Sequence, residues 1–289
     1  MSSKIHSDYL IIVSKQDQAG MNIKSFLIKR KRFDRVTTFV PEEGWPEKEY
    51  TLEKFENTLL LTLEHPQIYS DYLIDYIDTQ LIIFASKHFS AAGQKALLVH
   101  TTGVWGTDIS HGGRAKELAL APSLALTHSY FLIKEKQKEY DLYDYWVGLE
   151  ATHHGPTALR SPAMFIETGG SEIEWNDLKA CELLADVILD LISDLSSGLE
   201  ETLPAMIGIG GGHYAPTFIR RLDAKKYLLG HIAPKFVHQE LDNDLLRQAW
   251  DKTIATNKIF LIDKKGTKGV ERRRIIEILD RLELPWTYS

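Results

Sequence analysis

The sequence carries a single cysteine, Cys181, in 289 residues. One thiol cannot close an internal disulfide, which fits a reducing, cytoplasmic setting. No apolar run approaches the ~20 residues that span a bilayer. The N-terminus also lacks the basic-then-apolar order of a secretory signal, and Tyr9 to Val13 reads as a first strand instead. A net charge of −6 argues against indiscriminate coating of nucleic acid. Three common signatures are missing. There is no Gly-x-Ser-x-Gly elbow for a hydrolase serine and no Gly-x-x-x-x-Gly-Lys for a P-loop. In the glycine run from Gly208, His213 stands where a dinucleotide loop wants its third glycine, and Pro216 follows too soon for a clean helix start. Cys181 sits inside an amphipathic helical pattern without an activating neighbour, so a core role fits it better than nucleophilic catalysis.

What is present is an ordinary globular composition, 44% hydrophobic and 26% charged, enough to build a core without staples. Short apolar runs predict strands at 9–13, 58–63, 80–85, 96–100, 145–150, 163–167, 205–209, 227–231 and 258–263. Helical spacing predicts helices at 20–32, 114–138, 175–196, 242–256 and 269–283, with Pro122 kinking or splitting the second. Interleaved strands and helices imply an α/β fold with a mostly parallel or mixed sheet. We expect one domain over 1–289, with a surface excursion near 36–57, where Pro41, Gly44 and Pro46 break the periodicity. Two basic stretches stand out: Lys24, Lys29, Arg30, Lys31, Arg32 and Arg35, then Lys264, Lys265, Lys268, Arg272, Arg273 and Arg274. Either alone reads as a solvated helix face; two in an acidic chain favour a polyanionic partner.

Five histidine-bearing segments close apolar runs, at His88, His100, Glu150 to Pro156 with His153 and His154, Gly210 to Pro216 with His213, and His231. Were their strands parallel neighbours, the imidazoles would gather at one sheet edge, where open α/β sheets bind ligands. Adjacent His153 and His154 would point apart, one to a cavity and one to the structure. Gly210, Gly211 and Gly212 allow backbone N–H groups to approach an oxyanion or a phosphate. Glu150 and Glu167 add carboxylates. Imidazole with carboxylate suits general acid–base work near neutrality, and equally suits Zn²⁺ with three protein ligands and a water. Spacing does not decide between the two. With no covalent nucleophile, water attack on an ester or amide is the simplest chemistry for such a site.

At these residues the chain resembles the archaeal- and plant-type D-aminoacyl-tRNA deacylases. The strings that carry the resemblance are Glu150 to Pro156, Gly210 to Pro216 and Gly230 to Lys235. Ser86 to His88, His100 to Gly103, Phe165 to Gly169 and Asp263 to Lys268 support them. Val104 and the stretch 105–112 depart from the family pattern, as does Gly170-Ser171. The resemblance implies hydrolysis of the ester joining a D-amino acid to tRNA. It also implies a three-layer α/β/α fold similar to peptidyl-tRNA hydrolases and nucleoside phosphorylases, and a zinc dependence. Carried onto this sequence, it makes His100, His154, His213 and Glu150 the catalytic candidates, with His154 preferred as base. Gly210, Gly211, Gly212, Thr102, Gly103 and Lys268 become substrate-binding candidates; His100, His153, His154, Glu167, His213 and His231 become candidate metal ligands. We expect tRNA charged with a D-amino acid as partner, no membrane, and a monomer or weak oligomer. The alternatives are a metal-dependent hydrolase or phosphorylase-like enzyme acting on a free small molecule, and a non-catalytic RNA-binding protein that tolerates loss of His154 and His213.

Overall fold

The computed structural model describes residues 5–31, 33–39 and 50–289. In chain order the elements begin with β1 (Ile5–Ser14), α1 (Gln18–Arg30), β2 (Asp34–Phe39), β3 (Tyr50–Phe55), β4 (Thr58–Leu63), β5 (Ile77–Phe89) and β6 (Ala96–His100). A loop with three two-residue strands follows, β7 (Gly103–Val104), β8 (Glu117–Leu118) and β9 (Ala121–Pro122). Then come α2 (Ser123–Glu139), β10 (Trp146–Leu149), β11 (Ala163–Gly170), α3 (Glu172–Trp175) and α4 (Leu178–Ser196). The last third holds β12 (Ala205–Ile209), α5 (Pro216–Asp223), β13 (Leu228–Ala233), α6 (Asn243–Asp251), β14 (Thr253–Ile254), β15 (Lys258–Ile262), α7 (Gly269–Arg281) and β16 (Trp286–Tyr288).

The class is α/β, as the alternation of patterns implied, but the strands divide between two main sheets. The larger has the order β10-β6-β11-β5-β1-β4-β3-β2; the smaller is β13-β12-β15-β16. In the larger sheet β11, β5, β1 and β4 run parallel, whereas β6 pairs antiparallel with β11 and carries β10 with it. The smaller sheet is parallel throughout.

Alternation along the strands sorts the faces. Ile11, Ile83, Ala85, Leu97, Val99 and Ile166 pack against Ile23, Tyr130, Leu184 and Ile188 from α1, α2 and α4. The same core continues into the small sheet through Met206, Leu229 and Ile232. On that sheet's other face Ile207, Ile209 and Phe260 meet Leu245 and Leu246 of α6 and Ile275 and Leu279 of α7. The small sheet is thus the middle of three layers. The opposite face of the large sheet buries Leu10, Ile12, Phe84 and Phe165, and further along this face lie Ser86, His88, Glu167 and His100.

Four stretches differ from the sequence reading. The helix expected over 114–138 starts only at Ser123, directly after Pro122, and Glu117–Leu118 and Ala121–Pro122 form short strands instead. The helix expected over 242–256 ends at Asp251, and Thr253–Ile254 pairs with Ala121–Pro122. Pro216 opens α5 cleanly at its first position, where proline lacks only an N–H that would be unpaired anyway. Within 36–57, Tyr50–Phe55 is no excursion, because it pairs with β4 and buries Tyr50; residues 40–49 lie outside the described residues.

Candidate active site

The two sheets meet at the histidines. The expected edge of parallel strands is not what forms, because β6 and β10 run against β5 and β11. His88, Glu167 and His100 instead stand on one face of the large sheet. Glu150 follows β10, and His213 arrives on the glycine loop after β12. Glu150 Oε1 accepts from His213 Nε2 at 2.7 Å. Its Oε2 lies 3.4 Å from His88 Nδ1 and 3.9 Å from His100 Nε2. Glu167 repeats the pattern, 3.6 Å from His88 Nδ1 and 3.7 Å from His100 Nε2.

Hydrogen-bond partners fix the tautomers. A carbonyl only accepts, so a ring nitrogen facing one must carry the hydrogen. Nδ1 of His100 donates to Thr101 O, that of His153 to Ala151 O and that of His154 to Gly155 O. In their neutral forms all three therefore present a lone pair at Nε2. This second bond is the usual means of orienting a metal-ligating histidine. Ligand atoms of His100, His153 and His154 lie within 4.8 Å of one another, as do those of Glu150, His153 and His213, and of His88, Glu150 and Glu167.

His153 and His154 do not point apart. Their rings are 4.3 Å from each other, and each packs on His100. His154 adopts φ 43°, a left-handed conformation that is uncommon for a residue with a Cβ. Strain of this kind tends to persist where surrounding structure enforces it, often at functional sites.

Electrostatics divides the cluster. Burial opposes charge on His88, but the Glu150 and Glu167 carboxylates more than reverse this and lift it to about 11. His88 is therefore an imidazolium bracketed by two carboxylates, and its Nε2–H donates to Tyr214 Oη at 3.1 Å. Burial would raise both glutamates, yet His213 and His88 hold Glu150 well below its ordinary value, and His100 and His88 lower Glu167. Burial and the other imidazoles push His153 well below its ordinary value and His154 down to about 4, so both are neutral at physiological pH. Burial also opposes charge on His100, but Glu167 raises it. Neither Glu150 Oε2 nor His100 Nε2 has a hydrogen-bond partner, and both are buried. The His88 imidazolium supplies positive charge to Glu150 Oε2 at 3.4 Å, while a proton on His100 or a metal ion would satisfy His100 Nε2 and its contact with that oxygen at 3.9 Å. The donor set of imidazole nitrogens and carboxylate oxygens suits zinc.

Two cavities flank this ridge, and His153 and His154 line both. One of about 380 Å³ is lined by Asp17, Lys87, His88, Glu150, Glu167, His213 and Tyr214 among others. The second, about 580 Å³, is lined by Gly103, Val104, Trp105, Asp108, Phe236 and Glu240 among others. The stretch 104–112 thus supplies a wall beside the histidines.

Several expected site residues lie elsewhere. His231 is not among the grouped ligands: its Nε2–H donates to Ala119 O and its Nδ1 faces Thr152 Oγ1, so no lone pair is left for a metal. Thr102 is buried and bonded to Pro156 O, and neither it nor Lys268 lines either cavity. The amides of Gly210 and Gly211 are already engaged with Ala233 O and Gly266 O. Those of Gly212, His213 and Tyr214 have no acceptor among the described residues. Tyr214 and Asp17 were not anticipated. Tyr214 is signalled only by its place beside His213; Asp17 accepts from Ser86 Oγ and the Lys87 amide, and so anchors the end of β5 that carries His88.

Comparison with known proteins bears on this geometry. The D-aminoacyl-tRNA deacylase family profile matches residues 75–287. A D-aminoacyl-tRNA deacylase of Methanococcus vannielii is 33% identical, covering 96% of this chain and 98% of its own length. One from Thermococcus onnurineus is 34% identical, with 95% and 97% coverage. A crystal structure of a conserved protein of unknown function superposes with TM-score 0.83 at 25% identity, covering 99% of this chain and 96% of that one.

Proposed function

The chain belongs to the D-aminoacyl-tRNA deacylase family, and from that premise we propose how its buried cluster hydrolyses the ester of D-aminoacyl-tRNA to free D-amino acid and tRNA. The observation that carries the reading is the convergence of His88, His153, His154, His213, Glu150 and Glu167 on one cavity, with the buried His100 grouped with His153 and His154 behind it. Ser86 also lines this cavity, but its hydroxyl is bonded to Asp17 and not to an imidazole. An aminoacyl ester is already activated, so a positioned water suffices without a covalent enzyme intermediate.

We assign the base to His213 in preference to His154. Its Nε2–H is held by Glu150, which leaves Nδ1 as the acceptor for a proton of the attacking water. Its side chain is 33% exposed, so water reaches it. His154 is better suited to holding a cation, as are His100 and His153, because Nδ1 of each is fixed on a carbonyl. These three would hold zinc, which when bound polarises a carbonyl and acidifies water. The free amides of Gly212, His213 and Tyr214 are the donors we assign to the oxyanion of the tetrahedral intermediate. The His88 imidazolium holds the two carboxylates in place beneath the reacting centre. No helix among the described residues is long and apolar enough to cross a membrane, and we place the reaction in the cytoplasm with its tRNA substrate.

The test is release of amino acid from one tRNA charged with the D- or the L-enantiomer. We expect rapid release of the D-amino acid and much slower release of the L-form; equal rates would refute the stereospecific part. Turnover of small free esters at the same efficiency as charged tRNA would favour the small-molecule alternative.

A further inference from the structure

The structure separates the two basic stretches that the sequence presents alike. On α1, Lys24 Nζ lies 2.6 Å from Glu53 Oε2, with both side chains largely buried, and also donates to Thr62 Oγ1. Arg30 is bonded to Glu182, Asp186 and Tyr140. Lys29 and Lys31 lie over the rings of Phe26 and Phe55. Arg32 and the side chain of Arg35 lie outside the described residues. Lys24 and Arg30 are therefore neutralised within the protein, whereas Lys29 and Lys31 keep their charge.

The second stretch differs. Lys264, Lys265, Lys268, Arg272 and Arg273 have no carboxylate within 4.0 Å among the described residues, and Lys264 Nζ lies over the Tyr288 ring at 5.3 Å. Arg272 donates to the carbonyls of Lys264 and Thr267, which orient a guanidinium without cancelling its charge. Guanidinium nitrogens of Arg272 and Arg273 both approach within 4.0 Å of the point where a Cβ on Gly269 would stand. Lys265, Lys268 and Arg273 are exposed. This loop is bonded to the active-site wall: Gly211 N–H donates to Gly266 O, and Asp263 accepts from Thr217 Oγ1 and from the amides of Lys265 and Gly266. His213 follows two residues after Gly211. In a chain of net charge −6, residues 263–273 carry these five cations against Asp263 and Glu271, a local excess of positive charge.

We propose that Lys264, Lys265, Lys268, Arg272 and Arg273 form the surface on which acceptor-stem phosphates of the tRNA dock, and that the α1 stretch takes no part. This rests on the deacylase reading for the class of partner. Phosphate contacts of this kind position the RNA and read no sequence. Docked there, the 3′ end enters the cavity over the glycine loop and His213.

The experiment is fluorescence anisotropy with uncharged tRNA between 50 and 200 mM salt. It compares the wild type with Lys265→Ala/Arg273→Ala and with Lys29→Ala/Lys31→Ala. Each lost phosphate contact lowers the slope of log affinity against log salt by about 1, so the first double variant should lose about 2. Its KM for D-aminoacyl-tRNA should rise in step, and the second double variant should keep the wild-type slope. An unchanged slope in Lys265→Ala/Arg273→Ala, or an equal loss in Lys29→Ala/Lys31→Ala, overturns the proposal. If wild type binds tRNA with the expected salt dependence yet releases no amino acid, the deacylase reading fails and the docking surface stands.

Discussion

Replacing Glu150 by glutamine probes the centre of the cluster with almost no change in volume. The carboxylate is 2% exposed and contacts both His213 and His88. At 3.4 Å and an effective dielectric of about 20, its attraction to the His88 imidazolium is about 5 kcal/mol. Glu167 at 3.6 Å supplies a second attraction of similar size, and removing Glu150 also relieves repulsion between the two carboxylates. The net cost to stability should therefore stay below the 3–5 kcal/mol typical of breaking a buried pair, at about 3 kcal/mol or less. Activity should suffer differently. A glutamine oxygen still accepts from His213, but it no longer supports the charge that His213 gains on taking a proton. Loss of such orienting partners typically costs 10–100-fold, about 1.4–2.7 kcal/mol in the barrier. Single-turnover deacylation of D-aminoacyl-tRNA, measured beside urea unfolding, separates the two effects. A variant that loses stability but deacylates within twofold of wild type would make Glu150 a structural residue and refute the reasoning.

Other outcomes follow from the same geometry. His231 is buried and neutral, with burial pushing it down to about 3. A depressed histidine contributes stability above its unfolded value of about 6.5 and loses it as pH falls towards 3, at about 1.4 kcal/mol per pH unit. Urea unfolding at pH 7.5 and 5.5 should show wild type losing about 1.4 kcal/mol more than His231→Gln; equal losses would contradict this. Gly210→Ala places a Cβ 2.6 Å from Thr267 Oγ1 at φ +116°, and should cost about 1–3 kcal/mol in thermal unfolding while slowing deacylation. A variant as stable and active as wild type would show that the loop tolerates side chains. Dialysis against a chelator should abolish activity and zinc should restore it, whereas His153→Ala should lower the zinc retained per chain by elemental analysis. Full activity after complete metal removal would leave His100 carrying a proton where we place a cation.

The sequence carried the elements better than their arrangement. The runs at 96–100 and 205–209 coincide with β6 and β12 because buried strands are continuous apolar segments bounded by polar turns. The periodic stretch from Leu178 yields α4 for the same local reason, with Cys181 in its buried face. The direction of β6 was not legible, since an apolar strand reads the same whichever way its neighbour runs. That direction decides whether the histidines meet at an edge or on a face. His231 looked equivalent to His213, each following an apolar run. Only the distant Ala119 and Thr152 occupy both nitrogens of one, while Glu150 holds the other. The two basic stretches also looked alike, and their difference lies in Glu53, Glu182 and Asp186, which are remote in sequence from α1.

The most direct measurement is a double-mutant cycle between the two sheets, with single-turnover deacylation of D-aminoacyl-tRNA by His100→Ala, His213→Ala and the combined variant. Groups that act as one unit give strongly non-additive losses. We predict that the combined variant is little slower than the worse single variant. Losses that multiply, or a single variant as active as wild type, would contradict a shared reaction centre.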